Sequence, residues 1–252
     1  IRLSLVGSEM CIRDRFRNIK EREKMLFSEE AIGFLFENHT RDSKDWFKEH
    51  KADYHRLIEE PFAELITALT PIMNDIDSRI VCNPKKISRL YKDARYNKGG
   101  PIFRESVWCS LKCQRDKSEY HPMPEFYFYI STHGFGYGCG YYKTDRESMD
   151  EMRAMILAGA QEYKKAYKAL KDNSKFVLFG DEYKRDHFPN ASREDALWLN
   201  KKDIGVSFDS EDPKLLFNVN LLDTVCSDLA SLGDVYRFFM RAEDNILQKK
   251  VK

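Results

Sequence analysis

Apolar residues recur every three or four positions in the first part of the chain after residue 24, which is the period of a helix with one buried face. The pattern predicts one helix that begins near Ser28, a second from about Ser43, and a third whose first turn holds Pro61. The second helix is therefore expected to end before Pro61. The apolar face of the third helix consists of Phe62, Leu65, Ile66, Leu69, Ile72, Met73 and Ile76.

The middle of the chain changes to a period of two, which predicts an antiparallel sheet from about Lys86 to Tyr142. Apolar and more polar residues alternate from Val107 to Cys113, and an aromatic run covers Phe126 to Ile130. The stretch GFGYGCGYY, Gly134 to Tyr142, would place four glycines on one face of a strand. Such glycines indicate a close approach by another group, for which a packed helix is favoured over a ligand.

Helical and strand patterns alternate in the C-terminal part, and no internal repeat or linker interrupts them. The fold class is therefore predicted to be α+β: one domain with an antiparallel sheet in the middle of the chain, packed by N-terminal and C-terminal helices. The predicted C-terminal elements are helices at Met149–Ile156 and Tyr163–Leu170, strands at Phe176–Phe179 and Ile204–Phe208, and a mostly helical Leu215–Lys250 interrupted near Gly233.

The first 24 residues are predicted to be a non-native, disordered leader. Ser4 to Arg15 reads SLVGSEMCIRDR, which matches the translation of a transposon-type sequencing adapter at every position. The following charged segment resembles upstream read-through, so Met25 is the expected start. We therefore predict that residues 25–252 form the single domain.

The overall charge of the chain does not point to a particular class of binding partner. Residues 25–252 hold 35 basic and 37 acidic side chains, because the leader removes seven of 42 and four of 41. This balance gives no general case for nucleic acid or for an anionic membrane surface. No apolar run approaches the roughly 20 residues that span a bilayer. The five cysteines after the leader lack paired spacing, which favours reduced thiols in the cytoplasm.

One short segment departs from this balance. Lys85 to Arg104 contains seven cations and one acid, Asp93. Read as a strand, the segment places Arg89 and Arg95 on either side of Asp93 on one face, and guanidinium forks suit carboxylate or phosphate. Lys98, on the following glycine-rich turn, could close over an anion. A solvated basic loop or an Asp–Arg brace is an equally good interpretation.

Two motifs carry a family resemblance. ISRLYKDARYNKGGP, Ile87 to Pro101, and FLFENHTRDSKDWFKEHKADY, Phe34 to Tyr54, resemble the signatures of the uncharacterised bacterial family known as domain of unknown function 2461. The departures include His39, Lys92 and Asn97, and the Pro-Tyr-Lys that commonly follows in the family is absent. The resemblance implies no established activity.

Other candidates give weaker signals. His50 lies among the apolar positions of its helix, where a histidine is more often a core residue than a catalyst. Metal-binding and nucleotide-loop motifs are missing from the sequence, so we predict no metal and no cofactor. A metal held by Asp181, Glu182, Asp186 and His187 is less favoured than a solvated loop. The secondary ligand-binding candidates are Asn38, Arg41, Trp46, His50, Lys51 and Tyr91.

Two classes of function remain open. The favoured one is an enzyme or a binding protein for a small anionic ligand such as a phosphorylated compound, with Arg89, Asp93, Arg95 and Lys98 as its contacts. The alternative is a non-enzymatic interaction module for an acidic protein or, less favoured, nucleic acid, with aromatic interleaving by Tyr91, Tyr96 and Phe103. A concave pocket around the arginines would favour the small ligand, and a flat surface would favour the module.

Overall fold

The computed structural model describes residues 25–95, 97–114 and 121–251. The predicted leader and Tyr96 lie outside the described residues. Among the helices of the described part, none is both long and apolar enough to cross a membrane.

The helices are named here in chain order. They are α1 (Glu29–Arg41), α2 (Lys44–Glu49), α3 (Lys51–Tyr54), α4 (Glu60–Ile76), α5 (Arg146–Leu157), α6 (Gln161–Asp172), α7 (Arg193–Leu199), α8 (Pro213–Leu216), α9 (Leu221–Ser231) and α10 (Gly233–Val251). The interruption expected near Gly233 is the boundary between α9 and α10. The apolar face predicted for the third helix is the buried face of α4.

Pro61 lies in the first turn of α4, as predicted, but no break separates this helix from the preceding one. The chain stays helical from α3 into α4 through a π-helical turn, His55–Glu59, in which the Glu60 N–H donates to the carbonyl of His55. Proline has no N–H to give to the carbonyl four residues earlier, so an ordinary turn would lose a hydrogen bond there. The wider turn places Pro61 in the first turn of α4 without ending the helix.

Six strands form one sheet in the order β1-β2-β3-β4-β6-β5, and every neighbouring pair is antiparallel. The strands are β1 (Ile80–Val81), β2 (Ser106–Cys113), β3 (Glu125–Ser131), β4 (Gly134–Gly140), β5 (Val177–Phe179) and β6 (Gly205–Ser210). The register pairs Cys109 with Phe128 and Phe128 with Tyr137, so these three side chains share a face.

That face of the sheet carries the core. Alternate residues of β2 and β3 are buried, and α1, α4, α9 and α10 pack on the strands. Phe27 stacks on Phe128 with ring centroids 5.7 Å apart, and Phe126 stacks on Tyr236 of α10 at 4.9 Å. The predicted α+β fold, with N-terminal and C-terminal helices on an antiparallel sheet, is confirmed. The other face of β2 and β3 is only half-buried.

The glycines of β4 make room for tyrosines, so the favoured interpretation of a packed helix is wrong. A Cβ on Gly136 would lie 2.7 Å from Cε1 of Tyr129, and one on Gly138 would lie 2.9 Å from the Tyr127 hydroxyl. The two tyrosines of β3 therefore lie across the glycine face of the neighbouring strand. The backbone of β6 approaches from the other side, with Val206 O only 2.0 Å from a Cβ on Gly138.

A buried carboxylate ties α10 to the rest of the molecule. Glu243 is fully buried and accepts hydrogen bonds from Tyr141 Oη at 2.8 Å and Ser148 Oγ at 2.6 Å. Its other oxygen lies 2.5 Å from His121 Nε2. A buried carboxylate needs such partners, because its desolvation is otherwise costly. This network joins the end of β4, helix α5 and the loop before β3.

Candidate functional site

The basic segment is extended only in its first part. Ile87 pairs with Cys109 and Tyr91 pairs with Phe103, both as antiparallel bridges. Ser88 is held on the edge of β2, since its N–H donates to Trp108 O at 2.8 Å and its Oγ accepts from Trp108 N at 3.0 Å. After Tyr91 the chain turns, so the single strand face expected for Arg89, Asp93 and Arg95 does not form.

Asp93 and Arg95 form a local ion pair on this turn. Arg95 donates from Nη2 to Asp93 Oδ2 at 2.6 Å and from its backbone N–H to Oδ1 at 3.0 Å. These bonds from Arg95 lower the pKa of the Asp93 carboxyl to about 2, with a further contribution from the charge of Arg89. At neutral pH this carboxylate is a poor proton acceptor.

The glycine-rich turn is held by an asparagine. Asn97 Nδ2 donates to Gly100 O at 3.1 Å and to Pro101 O at 2.9 Å, and Gly99 has a left-handed φ of +79°. Lys98 is exposed at the tip of this hairpin. Its closure over a ligand stays a prediction.

Arg89 lies in a different setting, a groove of about 580 Å³ between α2, α3 and the extended segment. We call this groove the basic groove. Its cationic side chains are Lys44, Lys48, Lys51, Lys85 and Arg89, and its carboxylates are Asp45 and Glu59. Of the described residues, Asp93, Arg95 and Lys98 line neither this groove nor the one on the sheet.

The five cations of the basic groove outnumber its two carboxylates. Within the described ranges, none of them makes an ion pair or a side-chain hydrogen bond. Some cations elsewhere on the surface do have partners: Arg79, for example, contacts Asp77 at 2.7 Å and Asp244 at 2.8 Å. A groove with this net positive charge, and without ion pairs among its cations, favours an anion.

A second groove of about 700 Å³ lies on the half-buried face of the sheet. We call it the sheet groove. Ile87 and Ser88 line both grooves, so the extended segment forms a ridge between them. The residues that line the sheet groove include Lys86, Arg104, Trp108, Glu125, Tyr127 and Tyr129.

A family model described as "Conserved hypothetical protein (DUF2461)" matches residues 30–238. The chain belongs to the DUF2461 family. A search of curated proteins found no match. The matched range includes both grooves and the ridge between them.

The two segments that resemble DUF2461 signatures meet in the structure. Phe47 of α2 contacts Tyr91 with ring centroids 5.5 Å apart, and Tyr91 contacts Phe103 at 4.6 Å. Lys51 and Tyr91, two of the secondary candidates, both line the basic groove beside Arg89. The DUF2461 motifs are therefore neighbours in space, although about 40 residues separate them in the chain.

The other secondary candidates of the first motif form a surface stack. His50 stacks on Trp46 with centroids 4.1 Å apart, and its Nδ1 lies 2.8 Å from Trp46 O. Arg41 lies 5.7 Å over the same indole and pairs with Glu37. These contacts give His50 a structural role at the junction of α2 and α3. Asn38 is fully buried, and neither of its amide atoms has a hydrogen-bond partner among the described residues.

Sequence reasoning missed the residue that joins the two motifs. Asp42 Oδ1 accepts from the backbone N–H of Ile102 at 2.7 Å and of Phe103 at 3.1 Å. Asp42 follows α1 with a left-handed φ of 46°, which aims its carboxylate at the return arm of the basic hairpin. No local signal distinguishes such an aspartate from a helix-terminating one.

The loop with the less favoured metal candidates is held by separate local contacts. Asp186 accepts from Phe188 N and Asn200 Nδ2, Glu182 pairs with Lys201, and His187 stacks on Tyr183. No group of three or more metal-ligating side chains converges in the described part of the chain.

Proposed function

We propose that the basic groove binds a small anionic ligand, such as a phosphorylated compound. The observation that carries the proposal is that five cations, Lys44, Lys48, Lys51, Lys85 and Arg89, line one groove, where none forms an ion pair with a described residue and only two carboxylates lie among them. Phosphate oxygens accept several charge-assisted hydrogen bonds at once, which lysines and an arginine fork supply.

The position of the ridge supports the proposal. Ser88 is fixed to β2 by two hydrogen bonds with Trp108, and this anchors the backbone next to Arg89. On the other side of the groove, Ser43 caps α2 by accepting from the N–H of Trp46 at 3.3 Å. Both walls therefore have defined backbones, which reduces the ordering cost of binding. Arg95 and Lys98 lie on the hairpin that follows, and their contribution remains a prediction.

The test is a thermal-shift panel with inorganic phosphate, pyrophosphate, sulfate and an organic dicarboxylate. We expect pyrophosphate to raise the melting temperature most, since a ligand that binds only the folded state stabilises it in proportion to ln(1 + [L]/Kd). Arg89→Gln should remove most of that shift, and Arg89→Lys should remove part of it because the planar fork is lost. Lys168→Gln, an exposed cation on α6, is the matched control and should leave the shift unchanged.

A shift of equal size in wild type and Arg89→Gln would refute the site. The salt dependence separates the interaction module from the small-ligand function. Suppose instead that a nucleic acid binds more tightly than pyrophosphate, and that its affinity falls steeply with added salt because many counterions are released. That result would favour the interaction module.

A further inference from the structure

We infer that the sheet groove is a second binding site, for a planar aromatic ring that carries an anionic group. This chemistry is shared by nucleotides and by aromatic carboxylates. The site lies across the ridge from the basic groove, and apart from Ile87 and Ser88 of the ridge its lining residues are different ones. The inference therefore does not depend on the basic groove being occupied.

The floor of the sheet groove is aromatic and held in place. Tyr127 and Tyr129 lie across the glycines of β4, where a Cβ would collide with them. Tyr129 Oη donates to Asp209 Oδ1 at 2.7 Å, and the Tyr127 hydroxyl is hydrogen-bonded to Ser207. Each ring is held by the glycines of β4 and by a hydrogen bond at its hydroxyl. The two rings therefore form a flat surface, and ligand binding would cost little side-chain entropy. Stacking on such rings favours a planar ligand.

The cationic side of the groove has an unsatisfied arginine. The Arg104 guanidinium lies 5.1 Å from the centroid of the Trp108 ring, and its Nε is buried without a hydrogen-bond partner among the described residues. A buried N–H of this kind costs free energy unless something accepts its hydrogen bond. Lys86 also has no ion pair to any described residue. Both cations line the groove and favour an anionic group there.

The other charged side chains of the groove balance each other. Lys112 Nζ contacts Glu125 Oε2 at 2.8 Å, and Ser110 Oγ donates to the same oxygen at 2.5 Å. Among the described residues that line the groove, Arg104 and Lys86 are therefore the ones whose charge is not compensated by an ion pair. The cavity of about 700 Å³ lies within the range of roughly 300–1,000 Å³ that is usual for small-ligand sites.

Calorimetric titration of the protein with adenosine 5′-monophosphate, adenosine, 4-hydroxybenzoate and inorganic phosphate tests the inference. We expect at least one ring anion to bind, with adenosine roughly tenfold weaker than its monophosphate because it lacks the charged group. Arg104→Gln should weaken the bound ring anion by about tenfold or more, while Arg89→Gln should change it by less than about threefold. The 4-hydroxybenzoate arm shows whether a carboxylate or a phosphate is the preferred anion.

Arg104→Gln could also lose binding by destabilising the fold, so Lys86→Gln is a second variant. Lys86 is exposed and without a partner among the described side chains, so its substitution should not disturb folding. It should also weaken the ring anion, at an unchanged melting temperature. Equal binding of adenosine and its monophosphate, or no binding of any ring anion at millimolar concentration, would overturn the inference. So would binding that is lost with Arg89→Gln and kept with Arg104→Gln, since that result assigns the anion to the basic groove.

Discussion

Cations that are neighbours in sequence have different roles in the structure. Arg95 is bound to Asp93 by three side-chain contacts and one backbone contact, whereas Arg89 has no hydrogen-bond partner among the described residues. Arg104 stacks on Trp108 at the far end of the same segment. At the scale of single residues, the three arginines of the basic segment therefore differ: Arg95 is paired with Asp93, Arg89 lines the basic groove, and Arg104 is stacked on Trp108.

The Asp93 carboxyl provides a direct test of the brace. Carbon-detected NMR titration should show its midpoint at about 2 in the wild type. In Arg95→Gln the midpoint should rise towards the ordinary value of about 3.9, because the hydrogen bonds to the ionised form are lost. Since the folded-state pKa is depressed, this pair stabilises the fold above about pH 4, and its contribution is lost as the pH falls towards 2.

Arg89→Gln is the control for that titration. Arg89 acts on Asp93 only through its charge, so its loss should move the midpoint less than Arg95→Gln does. A wild-type midpoint near 4 would contradict the ion pair.

At the scale of elements, β4 shows what an alternating pattern can predict. It predicts which residues share a face of the strand, but not which group packs against that face. Alternation placed the glycines of β4 on one side and Phe135, Tyr137 and Cys139 on the other, as observed. The group that fills the glycine side comes from the register with β3 and β6, which is a non-local property. The two tyrosines on β3 have no signal of their own that points to β4.

Gly138→Ala should destabilise the protein by roughly 1–3 kcal/mol, because its Cβ would meet the Val206 carbonyl and the Tyr127 hydroxyl. Urea denaturation measures the loss. Gly33→Ala, in the interior of α1, is the matched control: its Cβ has nothing within 4 Å, so about 0.5–1 kcal/mol of stabilisation is expected. If the two substitutions have equal effects, the close approach at β4 is wrong.

The limits of sequence reasoning follow from the range of the interactions. The apolar period predicted the buried face of α4, and the period of two predicted β2, β3 and β4. The turn after Tyr91 was not predicted, because the Asp93–Arg95 pair competes locally with strand pairing. Neither groove was visible in sequence, since Lys51 and Arg89 meet only after α3 and the ridge are placed.

At the scale of the whole molecule, charge is separated although the total is near balance. Helices pack on one face of the sheet, and the other face carries the sheet groove, with the basic groove on the far side of the ridge. Several acidic residues outside the grooves pair with nearby cations, as Asp77 does with Arg79. Arg89 and the lysines of α2 and α3 give the basic groove a net positive charge.

The central claim is that an anion binds beside Arg89, and the most direct measurement is a backbone amide NMR titration with pyrophosphate. We expect saturable shifts at Lys48, Lys51, Ser88 and Arg89, with smaller changes at the hairpin tip, and loss of those shifts in Arg89→Gln. Shifts confined to the hairpin around Arg95 and Lys98, or spread over exposed lysines such as Lys168 without saturation, would contradict it.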